Sequence, residues 1–221
     1  MNFLNVSSGR DHGRYIVLHD QGKQLCFVGL GSMNTQIAQD FMNSVTISIE
    51  ELDHKDKSWF DHKQFIVITA DVALKKNAVK KIDNYGGSYF SLVHKQSDVS
   101  DKAHIGVGTF INLYIQTIPN EPAYIGDHCV IGSHCVIAHR VKIHDFCHIS
   151  PQCYINNCEV FEGSVIGVQA KVVGQVNEKI SIAAYSNIMM NSMITKTIST
   201  PATYYNNRLV NRGTSLDHRI L

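Results

Sequence analysis

Between residues 123 and 152 the chain reads AYIGDHCVIGSHCVIAHRVKIHDFCHISPQ, setting five histidines, His128, His134, His139, His144 and His148, among isoleucines that recur at every sixth position. Histidine is the side chain whose ordinary titration falls near neutral pH, so the stretch could supply a general base or neutral imidazoles for a metal ion. Asp145 lies between His139 and His148 and could orient an imidazole. The chain holds six cysteines and no Cys-x-x-Cys pair. Cys129, Cys135, Cys147 and Cys153 each stand four residues after a repeat isoleucine, a spacing that architecture explains without metal or oxidation.

The frame that must position these residues is a six-residue period. Ile105, Ile111, Ile125, Ile131, Ile137, Ile143, Ile149 and Ile155 carry it, and Val160, Ile166 and Val172 resume it after a one-residue slip. A short strand and a tight turn per hexad wind three flat faces into a triangular prism, with eighteen residues to a coil. Inward-pointing residues on a strand are an even number apart, so the position four after each isoleucine also faces inward. Cys129 stacks over Cys147 and Cys135 over Cys153 as small apolar plugs. His128 and His134 take equivalent outward positions on consecutive faces, at solvent or a subunit contact, and His144 replaces a turn residue. Ile111 to Ile125 is two residues longer than two hexads and holds Pro119 and Pro122, which predicts a bulged corner. Exposed flat faces and open ends favour association around a symmetry axis.

From Leu25 to about Tyr89 the pattern differs: short apolar runs alternate with helical ones, as in a small α/β unit. The turn Gly29-Leu30-Gly31-Ser32 after its first strand could let a helix amino terminus approach a phosphate. A third glycine is missing, and a tight turn with no ligand fits the same residues. The expected organisation is an extension at 1–22, a small Rossmann-like nucleotide-sugar-binding domain at 23–94, the prism at 95–203 and a tail at 204–221. That tail caps the open end of the prism or wraps a neighbour. A net charge of +1 with no basic run gives no field for nucleic acid or an anionic membrane. The amino terminus lacks the apolar core of a secretory leader and no segment is long and apolar enough to span a bilayer, so a cytoplasmic protein is expected.

Taken together, LVHKQSDVSDKAHIG, the hexads and IAHRVKIHDFCHIS resemble the bacterial sugar O-acyltransferases of the sialic acid type, which include N-acetyltransferases acting on nucleotide-linked 4-amino-sugars. The resemblance spans about 25–203 and is strongest over 90–175. It implies an α/β N-terminal Rossmann-like domain followed by a left-handed parallel β-helix, assembled as a homotrimer with acetyl-CoA in the groove between subunits. In the family motif a histidine followed by a carboxylate precedes, by nine residues, a histidine in a His-hydrophobic-Ser sequence. The matching residues here are His139 and His148-Ile149-Ser150. The resemblance therefore implies His139 as general base, with His148 and Asp145 near the reaction centre, in direct attack on the thioester. It places Gly167 and Val168 at the pantetheine arm and Gly29, Gly31, Ser32 and Ser150 toward the acceptor. NIMMNSM stands where the family is usually glycine-rich, so the outer coenzyme contacts differ and another acyl-CoA could serve. The family carboxylate after the first histidine is Arg140 here. A guanidinium at that place disfavours the imidazolium, and three readings stay open: Asp145 or a carbonyl orients His139, Arg140 points to solvent or a substrate phosphate, or efficient catalysis is lost.

Three other functions compete with nucleotide-amino-sugar N-acetylation. One is O-acetylation of a sialic-acid-like sugar. Another is a γ-type carbonic anhydrase, with His104, His139 and His144 near the ligand spacing, although the two-residue insertion shifts their register and no metal is expected. The third is a non-catalytic trimeric scaffold.

Overall fold

The computed structural model describes residues 10–29, 32–112, 116–117 and 123–211. Its first half is built from β1 (Arg10–His12), β2 (Tyr15–Leu18), β3 (Gln24–Val28), α1 (Ser32–Ala38), β4 (Val45–Ile47), α2 (Ile49–Leu52), α3 (Lys57–Phe60), β5 (Lys63–Val67), α4 (Val72–Asn84), β6 (Ser88–Tyr89) and β7 (Ser91–His94). β4, β3, β5 and β6, in that order, form a four-stranded parallel sheet. Local chemistry sets the helix starts. Ser48 and Glu51 make a reciprocal capping box at α2, and the Asp71 side chain accepts from the Leu74 amide to open α4. Gly29 ends β3 with φ 136°, a backbone state open to glycine and strained for other residues.

From His104 onward each hexad folds as a strand of two or three residues and a turn. The strands are β8 (His104–Ile105), β9 (Phe110–Ile111), β10 (Gln116–Thr117), β11 (Tyr124–Ile125), β12 (Val130–Ile131), β13 (Val136–Ile137), β14 (Lys142–Ile143) and β15 (His148–Ile149). They continue as β16 (Tyr154–Asn156), β17 (Cys158–Val160), β18 (Val165–Ile166), β19 (Lys171–Val173), β20 (Ile180–Ile182), β21 (Asn187–Ile188) and β22 (Met193–Ile194). β8, β11, β14, β17 and β20 stack in parallel as face 1, β9, β12, β15, β18 and β21 as face 2, and β10, β13, β16, β19 and β22 as face 3. Ile125 pairs with Ile143, Ile131 with Ile149 and Ile137 with Ile155, each eighteen residues on, and the slip shortens the next step, Ile143 to Val160, to seventeen. Hexapeptide repeats on three parallel sheets fit a left-handed β-helix. Its interior is the predicted stack of repeat isoleucines with Cys129, Cys135, Cys147 and Cys153, joined by Cys158, and all five thiols are buried and free.

The edges of the prism share one backbone device. At most turns the residue three after the inward residue has a left-handed φ: besides Gly108 and Gly163, these are His128, His134, Arg140, Phe146, Gln152, Gln169, Tyr185 and Asn191, and after Ile155 the short step moves it to Asn157. The cost of that conformation is offset by ladder bonds. The His128 amide donates to the Val107 carbonyl at 2.8 Å, Phe146 to Asp127 at 2.8 Å and Gln152 to Ser133 at 2.9 Å.

Face 2 joins the two halves. β1 and β2 form a hairpin within residues 1–22, and β2 pairs with β7, which runs parallel to β9. Tyr15, Phe27, Ile66 and Phe90 from the α/β side enclose Phe110 and Val130, the outward residues of face 2. At the far end β23 (Thr203–Tyr205) extends face 2 and turns into β24 (Arg208–Asn211), and Tyr204 packs into the prism interior. The bulged corner at Pro119 and Pro122, Gly31 of the turn, and residues 212–221 of the tail lie outside the described residues.

Candidate functional site

The three edges carry the histidines singled out by sequence, and each has different surroundings. Between faces 1 and 2 runs the His128 edge, continued by Asp145 and Phe146, by Glu162 and Gly163, and by Tyr185. Helix α4 lies on it. The Lys75 side chain is wholly buried, and its Nζ donates to the His128 carbonyl at 3.0 Å. The His128 ring meets Tyr89 edge-on at 4.5 Å and stacks on Phe146 at 5.0 Å. Burial, aided by the Lys75 charge, lowers the His128 pKa to about 4, so this imidazole is neutral at physiological pH. Burial also lowers Lys75 to about 8. Lys76 Nζ reaches Glu162 Oε1 at 2.5 Å and the Tyr185 hydroxyl at 2.6 Å, tying the helix to two further coils.

Asp145 belongs to this same edge. Its Oδ1 accepts the Asp127 amide at 2.9 Å, as Asp127 Oδ1 accepts Val107 at 2.8 Å one coil earlier. A Cβ on Gly126 would lie 2.3 Å from that Asp145 oxygen, which explains the glycine. Within one chain Asp145 is therefore a ladder carboxylate one edge away from His139. Asp127 and Asp145 are eighteen residues apart, the same signal that identified the cysteine pairs.

His139 and Arg140 stand exposed on the edge between faces 3 and 1. Asn156 Oδ1 accepts the His139 amide at 3.2 Å, and the His139 carbonyl accepts the Asn157 amide at 2.7 Å, so the backbone beneath the imidazole is held by the next coil. Arg140 Nη2 donates to the Val176 carbonyl at 2.6 Å. His148 points outward from face 2 between Val130 and Val165, half-buried. In a triangular prism that face is opposite the His139 edge, so one chain does not bring the two histidines together.

The third edge, between faces 2 and 3, holds His134, the buried Ser150, Gln152, Gly167, Val168 and Gln169. Gly167 is close-packed: a Cβ there would lie 2.6 Å from the Met190 amide nitrogen. Beside it Gln152, Gln169, Lys171, Asn191, Ser192 and Met193 line a cleft of about 440 Å³, with Gln169 Nε2 donating to Gln152 Oε1 at 2.7 Å. The cleft opens onto face 3, whose other border is the His139 edge. Of the remaining candidates, Gly29 ends β3 and Ser32 begins α1, both in the α/β half.

One pair escaped the sequence reading. His144 Nε2 lies 2.7 Å from Glu159 Oε1 on face 1, with Lys142 at 3.7 Å and Lys179 at 3.9 Å from the same carboxylate. Burial alone would raise the Glu159 pKa, but the His144 hydrogen bond and the two ammonium groups together hold it below the usual carboxylate value. The seventeen-residue step at the slip hides this pairing from an eighteen-residue count. His104 stacks instead on Tyr124 at 4.4 Å. Among the described residues no group of three or more His, Cys, Asp or Glu side chains is placed to hold a metal ion. Among them too, no helix is long and apolar enough to cross a membrane.

Residues 122–157 match the model of the bacterial transferase hexapeptide (six repeats). No curated protein matches the chain in sequence. Solved structures do match in fold. The acetyltransferase domain of PglB from Neisseria gonorrhoeae aligns at TM-score 0.71 and 15% identity, over 86% of this chain and 100% of that one. WeeI from Acinetobacter baumannii aligns at TM-score 0.71 and 15% identity, over 85% and 99%. A mutant GDP-perosamine N-acetyl transferase from Caulobacter crescentus, in complex with CoA and GDP-perosamine, aligns at TM-score 0.73 and 15% identity, over 87% and 98%. The repeat match over 122–157 and the likeness to these structures agree on a hexapeptide-repeat β-helix fold.

Proposed function

We propose that the protein is an acetyl-CoA-dependent acetyltransferase that N-acetylates a nucleotide-linked amino sugar in glycan precursor synthesis, with His139 as general base. The observation that carries this reading is the combination on face 3: a cleft at one border, and at the other the histidine that matches the family motif, exposed and held from below. Fold neighbours whose structures contain acetyl coenzyme A, or CoA with GDP-perosamine, support the donor and the acceptor class.

The residues fit a coenzyme arm. Gly167 leaves no room for a side chain beside the cleft, Gln152, Gln169 and Asn191 offer hydrogen-bonding groups along it, and Lys171 supplies a cation for a phosphate. Acetyl-CoA brings an acyl group already activated as a thioester, so no covalent enzyme species is required. His139 takes a proton from the neutral acceptor amine as the amine nitrogen bonds to the acyl carbon, and as the carbon–sulfur bond breaks that proton passes to the departing sulfur, which leaves as the thiol of CoA. Backbone amides facing the carbonyl oxygen stabilise its developing charge, and holding both reactants in one groove supplies much of the rate. Because His139 and His148 occupy opposite surfaces of the prism, they serve one site only as contributions of neighbouring protomers, which agrees with a homotrimer. The α/β half, with its Gly29 turn at the end of a parallel strand, is the expected seat of the nucleotide.

Nucleotide-linked amino sugars screened with acetyl-CoA, following free thiol, test the proposal. Acetylation of at least one is expected, and no thiol release above the hydrolytic background with any of them would refute it.

A further inference from the structure

The His139 edge is where the repeat is least regular. Ile137 to Ile143 is a standard six-residue step, Ile155 to Val160 is five, and Val172 to Ile182 is ten. The short step recesses the edge at Asn157, which adopts φ 48°. The long step puts out a hairpin at 174–179, closed by the Glu178 amide donating to the Gln175 carbonyl at 3.1 Å. That hairpin folds back over the recess. Asn157 Nδ2 donates to the Gln175 carbonyl and, at 3.1 Å, to that of Glu178, while the Asn157 carbonyl accepts the Ile180 amide at 3.2 Å. Gly174 permits the approach, since a Cβ there would lie 2.3 Å from the Asn157 carbonyl oxygen. The hairpin then reaches one coil further, to Arg140, whose guanidinium holds the Val176 carbonyl. Val176 itself is 78% exposed.

We propose that Arg140 is a positioning residue that clamps the 174–179 hairpin beside His139, and that Val176 at its tip is a specificity-determining contact for the amine-bearing end of the acceptor. The inference rests on the function proposed above. The arginine at the place of a family carboxylate and the four extra residues between Val172 and Ile182 explain each other, because the added turn brings a carbonyl to the guanidinium. A charge-assisted bond to a carbonyl is stronger than a neutral one, and it directs the cation along the edge. An apolar side chain held on a fixed turn presents contact area without the ordering cost of a mobile loop, and rigidly held loops are where binding selectivity usually resides.

Steady-state kinetics and hydrogen exchange on the whole chain test this. Arg140→Ala is expected to raise the acceptor KM about tenfold, the loss of one charge-assisted bond, with kcat and the acetyl-CoA KM within about twofold. Arg140→Lys, which can donate to the same carbonyl, should recover part of that loss. Val176→Ala should raise the acceptor KM alone, by about threefold. In the same variants, amides 175–179 should exchange faster in Arg140→Ala than in the wild type, with Arg140→Lys between. Unchanged exchange overturns the clamp, including in a protein that acetylates no acceptor, where the failure of the function is seen separately in the wild-type assay. A KM rise in Arg140→Ala with a silent Val176→Ala makes the arginine a direct substrate contact and also overturns the proposal. So does an effect confined to kcat and its pH profile, which would place the guanidinium on His139.

Discussion

The His128 and His139 edges are two copies of one backbone device with opposite surroundings. At the first, α4 covers the turns, His128 is enclosed by Tyr89 and Phe146, and Lys75 is wholly buried against the coil. At the second, among the described residues, the contacts come from neighbouring turns, and His139 and Arg140 are exposed. Burial makes the one imidazole a packing element that resists protonation, while the other stays exposed, as the general base proposed above requires. Similar edges of one repeat therefore differ in accessibility according to the element docked outside them.

Replacing the open histidine should have the largest consequence. His139→Asn is expected to lower acetyl transfer by about 10²–10⁴-fold with an unchanged melting temperature, and an unaffected rate would remove the functional half of the contrast. Acid should act on the covered edge next. Because the folded His128 value, about 4, lies below the ordinary 6.5, its contribution to stability is complete above pH 6.5 and is lost as pH falls toward 4. The limiting loss is about 3 kcal/mol. Denaturant titrations of wild type and His128→Asn between pH 7 and 4 check the sign, since the wild type should show the steeper decline.

Lys75→Met sharpens the same point. An ammonium buried with a carbonyl as its hydrogen-bond partner is a poor use of interior space, so the substitution should stabilise the fold by about 1 kcal/mol in urea melts, despite the lost bond to the His128 carbonyl. Lower stability would show that this hydrogen bond outweighs the desolvation of the charge. Glu162→Gln is expected to have the smallest effect. Its link to Lys76 and Tyr185 is part-exposed and screened, so a loss under about 1 kcal/mol, diminishing in high salt, is anticipated.

Much of the prism was legible in the residues because its rule is local. An inward residue every six positions, cysteines at the fourth place after it and an eighteen-residue recurrence predicted the faces, the stacked thiols and the exposed His134, whereas His128, expected at solvent or a subunit contact, is buried because α4 and Tyr89 of the same chain cover its edge. Legibility ended where the period breaks. Glu159 meets His144 because the slip makes one coil seventeen residues long, and the 174–179 hairpin finds Arg140 because a shortened turn lies beneath it. Asp145, read as a partner for His139, proves to bond the Asp127 amide on a different edge.

From the sequence alone came the coil, its interior and the histidine that matches a catalytic motif, since side-chain alternation along a strand and recurrence along a chain are one-dimensional properties. The tertiary structure decided which edge α4 covers, which imidazole remains in contact with solvent and where the guanidinium beside it is directed. Those outcomes depend on desolvation and on hydrogen bonds between residues tens of positions apart, and a spacing rule carries neither.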